Sequence, residues 1–549
     1  MFCIYLRKKE IQKYTLNLKD LIYVFLLGLI VIIFGGLNYG YPVNIKYETT
    51  DPATHYRATS NFANSDSLLN LKNDNIYLFK NWKIGSYVNS GLIMKVFSDV
   101  MDEFDYYKIF IIFGLFILFM TGYMMYVALV KISKGKLAFV AFIISLLFML
   151  GYPLNSLLFG FEYMSMGILI VVALLYAVEY YASKEINFKH IIVIIFLLTF
   201  QLFHSYYQFV PYIFSALFIY ICFINYKEDK KIFTKKNILT LCITLIIPFI
   251  LGFIYYFAQG IYNLDIIFSS TGLGETVEDI AKRASSTQNS ILSTFSLYGY
   301  VYNNLYAGII LLLPLIIYVI IKDIREKRTI DFSSMAVIIT LGYIGLLVIG
   351  NHIGKVSDYY VTKNYFALFV LLWYINFKGI YYLYNKKKII PYLLTGAYVI
   401  ISIVSYFNFD IKKVENKLKD YKFNRLTEIY NVNEFLINDS FYTFFAGEIE
   451  LMKYAKDNLD KEKKIEVLGT EKQILWTYPL LDYYYDYPEM DKYQFQRQLT
   501  YKHKNNEIID NADYIICFYL SDFYRAYDKS KLENLEVIYE NPFGKILKR

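Results

Sequence analysis

The chain has 549 residues, of which 56% are hydrophobic and 19% charged, with a formal net charge of +8. That balance excludes a soluble globule and suits a protein that crosses a membrane many times and carries soluble appendages. The excess positive charge lies in short basic segments between apolar runs, so it implies no nucleic-acid partner.

A bilayer core of about 30 Å takes roughly 20 apolar residues per helix. Runs of that order occur at 19–38, 107–130, 137–155, 164–183, 190–204, 208–226, 238–258, 304–322, 334–350, 362–378 and 389–408. Short loops rich in Lys and Arg mark the cytoplasmic side, because cations resist translocation. Arg7, Lys8, Lys9 and Lys13 precede the first run, and basic clusters follow every second one: Lys131, Lys134 and Lys136; Lys184 and Lys189; Lys227, Lys230 and Lys231; Lys322, Arg325 and Lys327; Lys386, Lys387 and Lys388. The expected fold is therefore an α-helical polytopic membrane protein with about 11 transmembrane helices and a small extracytoplasmic C-terminal α/β domain. Residues 1–408 form the expected transmembrane domain, with long external loops at 39–106 and 259–303, and 409–549 the external domain. The first run has no small-residue cleavage site and reads as an uncleaved anchor. Of Cys3, Cys222, Cys242 and Cys517 only the last is expected outside, so no disulfide is expected.

In the first external loop, Asp51-Pro52-Ala53-Thr54-His55-Tyr56-Arg57 gathers an acid, an imidazole and a guanidinium. Pro52 biases Asp51 toward an extended conformation, so a helix over 53–62 is expected with Asp51 as its cap. His55 then lies one turn from Asp51. A carboxylate there suits proton transfer from a sugar hydroxyl, and a guanidinium suits a phosphate. A capping Asp without any chemical task fits the same residues. Later in the loop, Leu92, Ile93, Val96, Phe97, Val100, Met101 and Phe104 recur at helical spacing within Asn89–Phe104. The expected amphipathic helix either lies on the outer membrane surface or packs on other external parts.

Further along, Glu162 stands among Leu, Phe and Tyr in a short outside turn, a candidate to hold a proton or a cation. His204 sits in the tight turn after the fifth run and is a candidate phosphate contact or a simple hydrogen-bonded histidine. Lys282 and Arg283 lie in the second long loop and read equally as a solvated face. Lys355, Tyr359, Tyr360 and Lys363 surround the start of the tenth run. Lysines outside oppose the orientation bias, which points to an anionic lipid headgroup, or to an ordinary interfacial belt of Lys and Tyr. In the C-terminal region the pattern predicts helices at 449–458 and 522–527, strands at 465–468 and 514–519, and a hairpin of 535–539 with 545–547. Tyr478, Tyr483, Tyr484 and Tyr485 are candidate sugar-stacking rings.

An inside N-terminus, an acid early in a long first external loop, a surface helix in that loop, and eleven spans followed by an external domain occur together here. This arrangement resembles the GT-C superfamily of integral-membrane glycosyltransferases, which use polyprenyl-phosphate-linked sugars on the outer face. The resemblance matches Asp51 to the family's catalytic acid and Glu162 to the acid often seen in its second external loop. Many members carry two adjacent acids in the first loop; here Pro52 follows Asp51 and the next acid is Asp66. The resemblance implies sugar transfer from a polyprenyl-phosphate donor to a glycan or protein acceptor of the cell envelope, in a multi-pass protein of the cell membrane. It implies Asp51 as base, Glu162 as second acid, His55 and His204 as orienting groups, and Arg57, Lys355 and Lys363 as phosphate grips, with Tyr359 and Tyr360 at headgroup depth. Asp51 and Glu162 are also the candidate ligands of a divalent cation, Mg or Mn.

Three rivals remain. A lipid-linked polysaccharide polymerase or ligase uses arginines in a large external loop, where this chain offers only Arg283. A transporter or flippase places ionisable residues inside its spans, and these spans carry almost none apart from Glu179. An assembly protein without catalysis also fits.

Overall fold

The computed structural model describes residues 17–40, 43–47, 51–65, 85–183, 188–231, 234–258, 305–327, 331–356, 358–406, 442–483 and 512–549. In chain order these form α1 (Leu18–Tyr39), β1 (Lys46–Tyr47), α2 (Asp51–Asn64), α3 (Gly85–Val96), α4 (Tyr106–Ser133), α5 (Ala138–Met149), α6 (Tyr152–Phe159), α7 (Glu162–Ser183), α8 (Phe188–Tyr206) and α9 (Val210–Asp229). There follow α10 (Lys235–Leu241), α11 (Ile247–Ala258), α12 (Leu305–Lys327), α13 (Phe332–His352), α14 (Asp358–Tyr384) and α15 (Ile390–Tyr406). The C-terminal elements are β2 (Tyr442–Thr443), α16 (Ala446–Asn458), β3 (Ile465–Leu468), α17 (Glu471–Leu481), β4 (Tyr514–Phe518), α18 (Asp522–Ala526), β5 (Glu536–Asn541) and β6 (Gly544–Lys548). The second long loop, with Lys282 and Arg283, and Tyr484 and Tyr485 lie outside the described residues.

Helix covers every one of the expected apolar runs, but length and apolarity qualify eight helices as membrane-crossing among the described residues. The stretch Lys189–Lys227 merges two expected spans, and Ile390–Ile400 counts only as a short apolar helix. The chain divides into two compact units. The first comprises Met1–Ile33, Phe116–Leu157 and Tyr163–Ile437; the second comprises Phe34–Leu115, Leu158–Glu162 and Asn438–Arg549.

The first unit is a helical bundle. Its most enclosed helix is α14, where Phe366–Leu371, Trp373, Tyr374 and Ile375 are fully buried. Phe369 meets Tyr152 edge-on at 4.5 Å and stacks on Phe148 at 5.3 Å. Leu18, Phe25 and Ile32 of α1 by contrast stay exposed, as side chains facing lipid do. Between α10 and α11 the helix opens into one π turn at Cys242–Ile246. The Thr199 hydroxyl donates to the Thr244 carbonyl at 2.7 Å, restoring a partner at that irregularity.

The second unit joins the first long loop to the C-terminal region. β1 pairs antiparallel with β2, and a four-stranded sheet runs β3-β4-β6-β5, with β3 and β4 parallel and the other pairs antiparallel. The expected strands and hairpin occur with edges shifted by a residue or two, the usual fraying of such boundaries. The core runs from Tyr39, Tyr47, Tyr56 and Phe110 to Trp476, Leu451, Val467 and Ile516. Trp476 stacks on Tyr47 at 6.0 Å and on Tyr56 at 5.4 Å, which pins β1 and α2 to α17. Lys453 pairs with Asp102 at 2.5 Å and Lys456 with Glu103 at 3.0 Å, tying α16 to the end of the first loop.

Two expectations change in this unit. The helix expected over 89–104 is α3 followed by turns and a 3-10 turn at Glu103–Asp105. It packs on α2 by its small residues: a Cβ on Gly91 would stand 2.9 Å from the Phe62 Cβ, while Leu92, Val96, Phe97 and Val100 remain exposed. Tyr478 and Tyr483 are not sugar platforms. Both are buried and stack on each other at 5.9 Å, and the Tyr483 hydroxyl accepts the Ile465 amide and donates to the Lys463 carbonyl.

Candidate functional site: a carboxylate pair at the head of α2 and α7

The Asp-Pro pair opens α2, as its sequence expects, and the helix extends to Asn64. The Pro52 ring lies against Gly160, where an added Cβ would be 1.9 Å from Pro52 Cγ. Gly160 has φ +74°, a left-handed conformation that glycine adopts without strain. This close approach brings the start of α2 to the turn that ends in Glu162, the first residue of α7. Asp51, half-buried, lies within electrostatic range of Glu162.

Glu162 is 2% exposed, and neither of its carboxyl oxygens has a hydrogen-bond partner. A buried carboxyl is ordinarily paired or bonded, because removing it from water costs more than most folds supply. Two acids held together with one of them buried make this pair the candidate site. The same unit places three residues nearby that the sequence reading missed. Tyr39 and Tyr47 are buried and feel the charge of Glu162. Burial, then Glu162 and Tyr39, push the Tyr47 phenol well above its ordinary pKa. Lys46 is also buried, and that burial lowers the pKa of its ammonium. No periodic pattern marks 38–47, so only the folded geometry reveals them.

The other candidates of α2 sit inward. His55 is fully buried; its Nδ1 is 2.6 Å from the Tyr87 hydroxyl, and the two rings stack at 5.6 Å. Arg57, two residues further on, is half-buried. Among the described residues no group of three or more His, Cys, Asp and Glu is suited to a metal ion. Asp51 and Glu162 offer two carboxylates, enough for a hard cation that keeps waters and substrate oxygens as its remaining ligands.

In the first unit, Lys363 is buried, and its Nζ donates to the Tyr163 hydroxyl at 3.3 Å and lies 5.7 Å from that ring. Tyr163 stacks on Tyr206 at 5.6 Å. One turn before Lys363, Tyr360 is buried with its hydroxyl 3.1 Å from that of Tyr343. Tyr359 lies in the first turn of α14, and Lys355 is exposed in the turn after α13. His204 is buried near the end of α8, edge-on to Phe200 at 4.4 Å.

Charged residues also pair at the ends of the apolar runs. Buried Lys378 bridges Asp323 and Asp331, and Asp323 also accepts from Tyr382 at 2.7 Å and Ser334 at 2.9 Å. Lys131 lies over the Tyr180 ring. These groups neutralise one another, which fits a structural ion network better than a path for a transported ion.

No protein-family model and no curated protein sequence matches the chain. Solved structures do. The archaeal oligosaccharyltransferase AglB from Archaeoglobus fulgidus, in complex with an inhibitory peptide and a dolichol-phosphate, is similar over 92% of this chain and 70% of that one, with 11% identity and a TM-score of 0.48. The apo form of the Archaeoglobus fulgidus oligosaccharyltransferase is similar over 91% of this chain and 69% of that one, with 10% identity and a TM-score of 0.47. The form tethered to an acceptor peptide gives the same coverage and identity with a TM-score of 0.46.

Proposed function

We propose that the protein is a GT-C-type glycosyltransferase that moves a sugar from a polyprenyl-phosphate donor to a cell-envelope acceptor at the outer face of the membrane. The observation that carries this reading is the juxtaposition of half-buried Asp51 with the buried, unsatisfied carboxyl of Glu162. Asp51 takes the proton of an acceptor hydroxyl or amide as that atom bonds to the anomeric carbon. The bond from the anomeric carbon to the phosphate oxygen breaks, and the lipid phosphate leaves with the electron pair. A base so placed contributes roughly 10²–10⁴-fold to the rate. Where a divalent cation takes part, Asp51 and Glu162 hold it, and it supplies charge neutralisation for the departing phosphate. Arg57 supplies a cationic contact to the lipid phosphate, and Lys363 and Lys355 of the first unit are separate candidate contacts for an anionic lipid. In this reading the N-terminus is cytoplasmic and the second unit extracytoplasmic.

The test separates chemistry from anchoring. Purified variants in nanodiscs receive a polyprenyl-phosphate sugar and an acceptor. Glu162→Gln, which keeps size and burial, should lower kcat, whereas Lys363→Ala should mainly raise the KM for the lipid donor. Unchanged turnover by Glu162→Gln in a folded protein would remove the acid pair from the reaction.

A further inference from the structure

Three residues of the second unit add a feature that the reaction above does not use. Asn38 and Tyr39 close α1, and Tyr47 closes β1. They are 5%, 1% and 2% exposed. The Tyr39 and Tyr47 rings stand 6.2 Å apart, and Glu162 acts electrostatically on both phenols. The Tyr47 phenol oxygen has no hydrogen-bond partner, the carboxyl of Glu162 meets no group beyond its own backbone, and the Asn38 side chain and the Tyr39 phenol meet only each other.

Folded proteins satisfy nearly all of their buried polar groups, and each exception leaves a desolvation penalty standing. Several exceptions in one neighbourhood, beside the carboxylate pair, mark polar groups left to bond something else. The chemistry of the set narrows what that is. A phosphate or carboxylate only accepts, and would leave the oxygens of Glu162 and Asn38 without a donor. A bare cation only takes lone pairs, and would leave the NH₂ of Asn38 and the two phenol O–H groups without an acceptor. Hydroxyls both donate and accept, which matches two phenols, a carboxamide and a carboxylate together. Adjacent hydroxyls of one ring also suit the two oxygens of a single carboxylate. Tyr47 is already fixed in place, since Trp476 stacks on it at an interplanar angle of 9°. Its phenol is therefore preorganised, which reduces the entropy lost when a ligand binds.

We propose that Asn38, Tyr39 and Tyr47, with Glu162, form a subsite that hydrogen-bonds the sugar hydroxyls of the lipid-linked donor. The proposal rests on the glycosyltransferase reading above and assigns the part of the site that distinguishes one donor sugar from another.

The probes are bare undecaprenyl phosphate and undecaprenyl phosphates bearing glucose, galactose, mannose or N-acetylglucosamine. Binding is measured on the full chain in nanodiscs for wild type, Tyr39→Phe, Tyr47→Phe and Asn38→Leu. Wild type should bind at least one sugar-bearing carrier more tightly than the bare carrier. Each variant should lose about three- to tenfold of that difference, the worth of one hydrogen bond, and keep its affinity for the bare carrier. The free Tyr47→Phe variant should melt at or above the wild-type temperature, because no bond is lost and a buried unpaired hydroxyl is removed. A full sugar increment in all three variants would overturn the subsite and leave the glycosyltransferase reading standing. A Tyr47→Phe variant that melts lower while discriminating sugars normally would also overturn it, by assigning that phenol to the fold. Failure of wild type to bind any carrier would overturn both.

Discussion

Gly160→Ala tests how Asp51 is held. Gly160 has φ +74°, and a methyl group there would stand 1.9 Å from Pro52 Cγ and 2.7 Å from Pro52 Cβ. The left-handed conformation alone costs a side chain about 1–2 kcal/mol. The larger effect is steric, since Pro52 must retreat by about 1.5 Å to restore ordinary van der Waals contact. Pro52 is rigid and adjoins Asp51, so the retreat moves the acid. A displacement of about 1 Å at a reacting group costs on the order of 10²-fold in rate. Gly135→Ala is the control: Gly135 has φ +76° and no atom within 4 Å of an added Cβ, so it carries the backbone penalty without the collision. The assay is sugar transfer in nanodiscs alongside a thermal melt. Gly160→Ala should lose about 10²-fold in transfer, and Gly135→Ala should lose only some stability. Equal transfer by the two variants would refute the argument that Gly160 sets the position of Asp51.

Three further outcomes follow from the packing. Trp476→Ala removes the ring on which Tyr47 and Tyr56 both stack and should cost about 3–5 kcal/mol, read as a lower melting temperature of the second unit. Lys378→Ala leaves Asp323 and Asp331 without their shared cation and should cost about 3–5 kcal/mol, whereas a Lys378→Ala/Asp323→Asn/Asp331→Asn combination should recover much of that stability. The hydrogen bond from Lys453 lowers the pKa of Asp102 and raises that of Lys453. The Asp102 contribution is therefore lost as pH falls through its lowered folded value, and the Lys453 contribution is lost as pH rises through its raised one. Both groups are almost half exposed, so the pair is worth about 0.2–1 kcal/mol; the melting difference between wild type and Lys453→Met should be greatest near neutrality and shrink at both extremes.

Much of the fold was legible in the sequence because its signals are local. Asp51-Pro52 starts α2, and the short β-branched stretches Ile465–Leu468 and Tyr514–Phe518 are buried strands. Where the reading failed, nonlocal packing decided. The apolar stripe of Leu92, Val96 and Phe97 read as facing either the membrane surface or other external parts; it stays exposed, and Ser86, Ser90 and Gly91 meet α2, because small residues let that helix approach closely. Helix α17 was missed although Thr470 and Gln473 form a reciprocal capping box at its start. Its tyrosines read as surface rings because their partners lie elsewhere in the chain. Lys378 and Asp323 drew no reading from the sequence, since an ion pair 55 residues apart leaves no periodic trace. Asp51 and Glu162 were legible as separate acids. Their proximity depends on Gly160 and Pro52, which carry no charge and no motif.

The most direct measurement is transfer of a labelled sugar from a polyprenyl-phosphate donor to envelope acceptors by the purified chain in nanodiscs, with wild type and Asp51→Asn compared at saturating donor. Asparagine keeps the size and capping ability of Asp51 but cannot accept the proton. The account predicts label in the acceptor fraction for wild type and at least about 10² less turnover for the folded variant. Equal turnover by the two proteins, or no transfer by wild type from any polyprenyl-phosphate sugar, would contradict it.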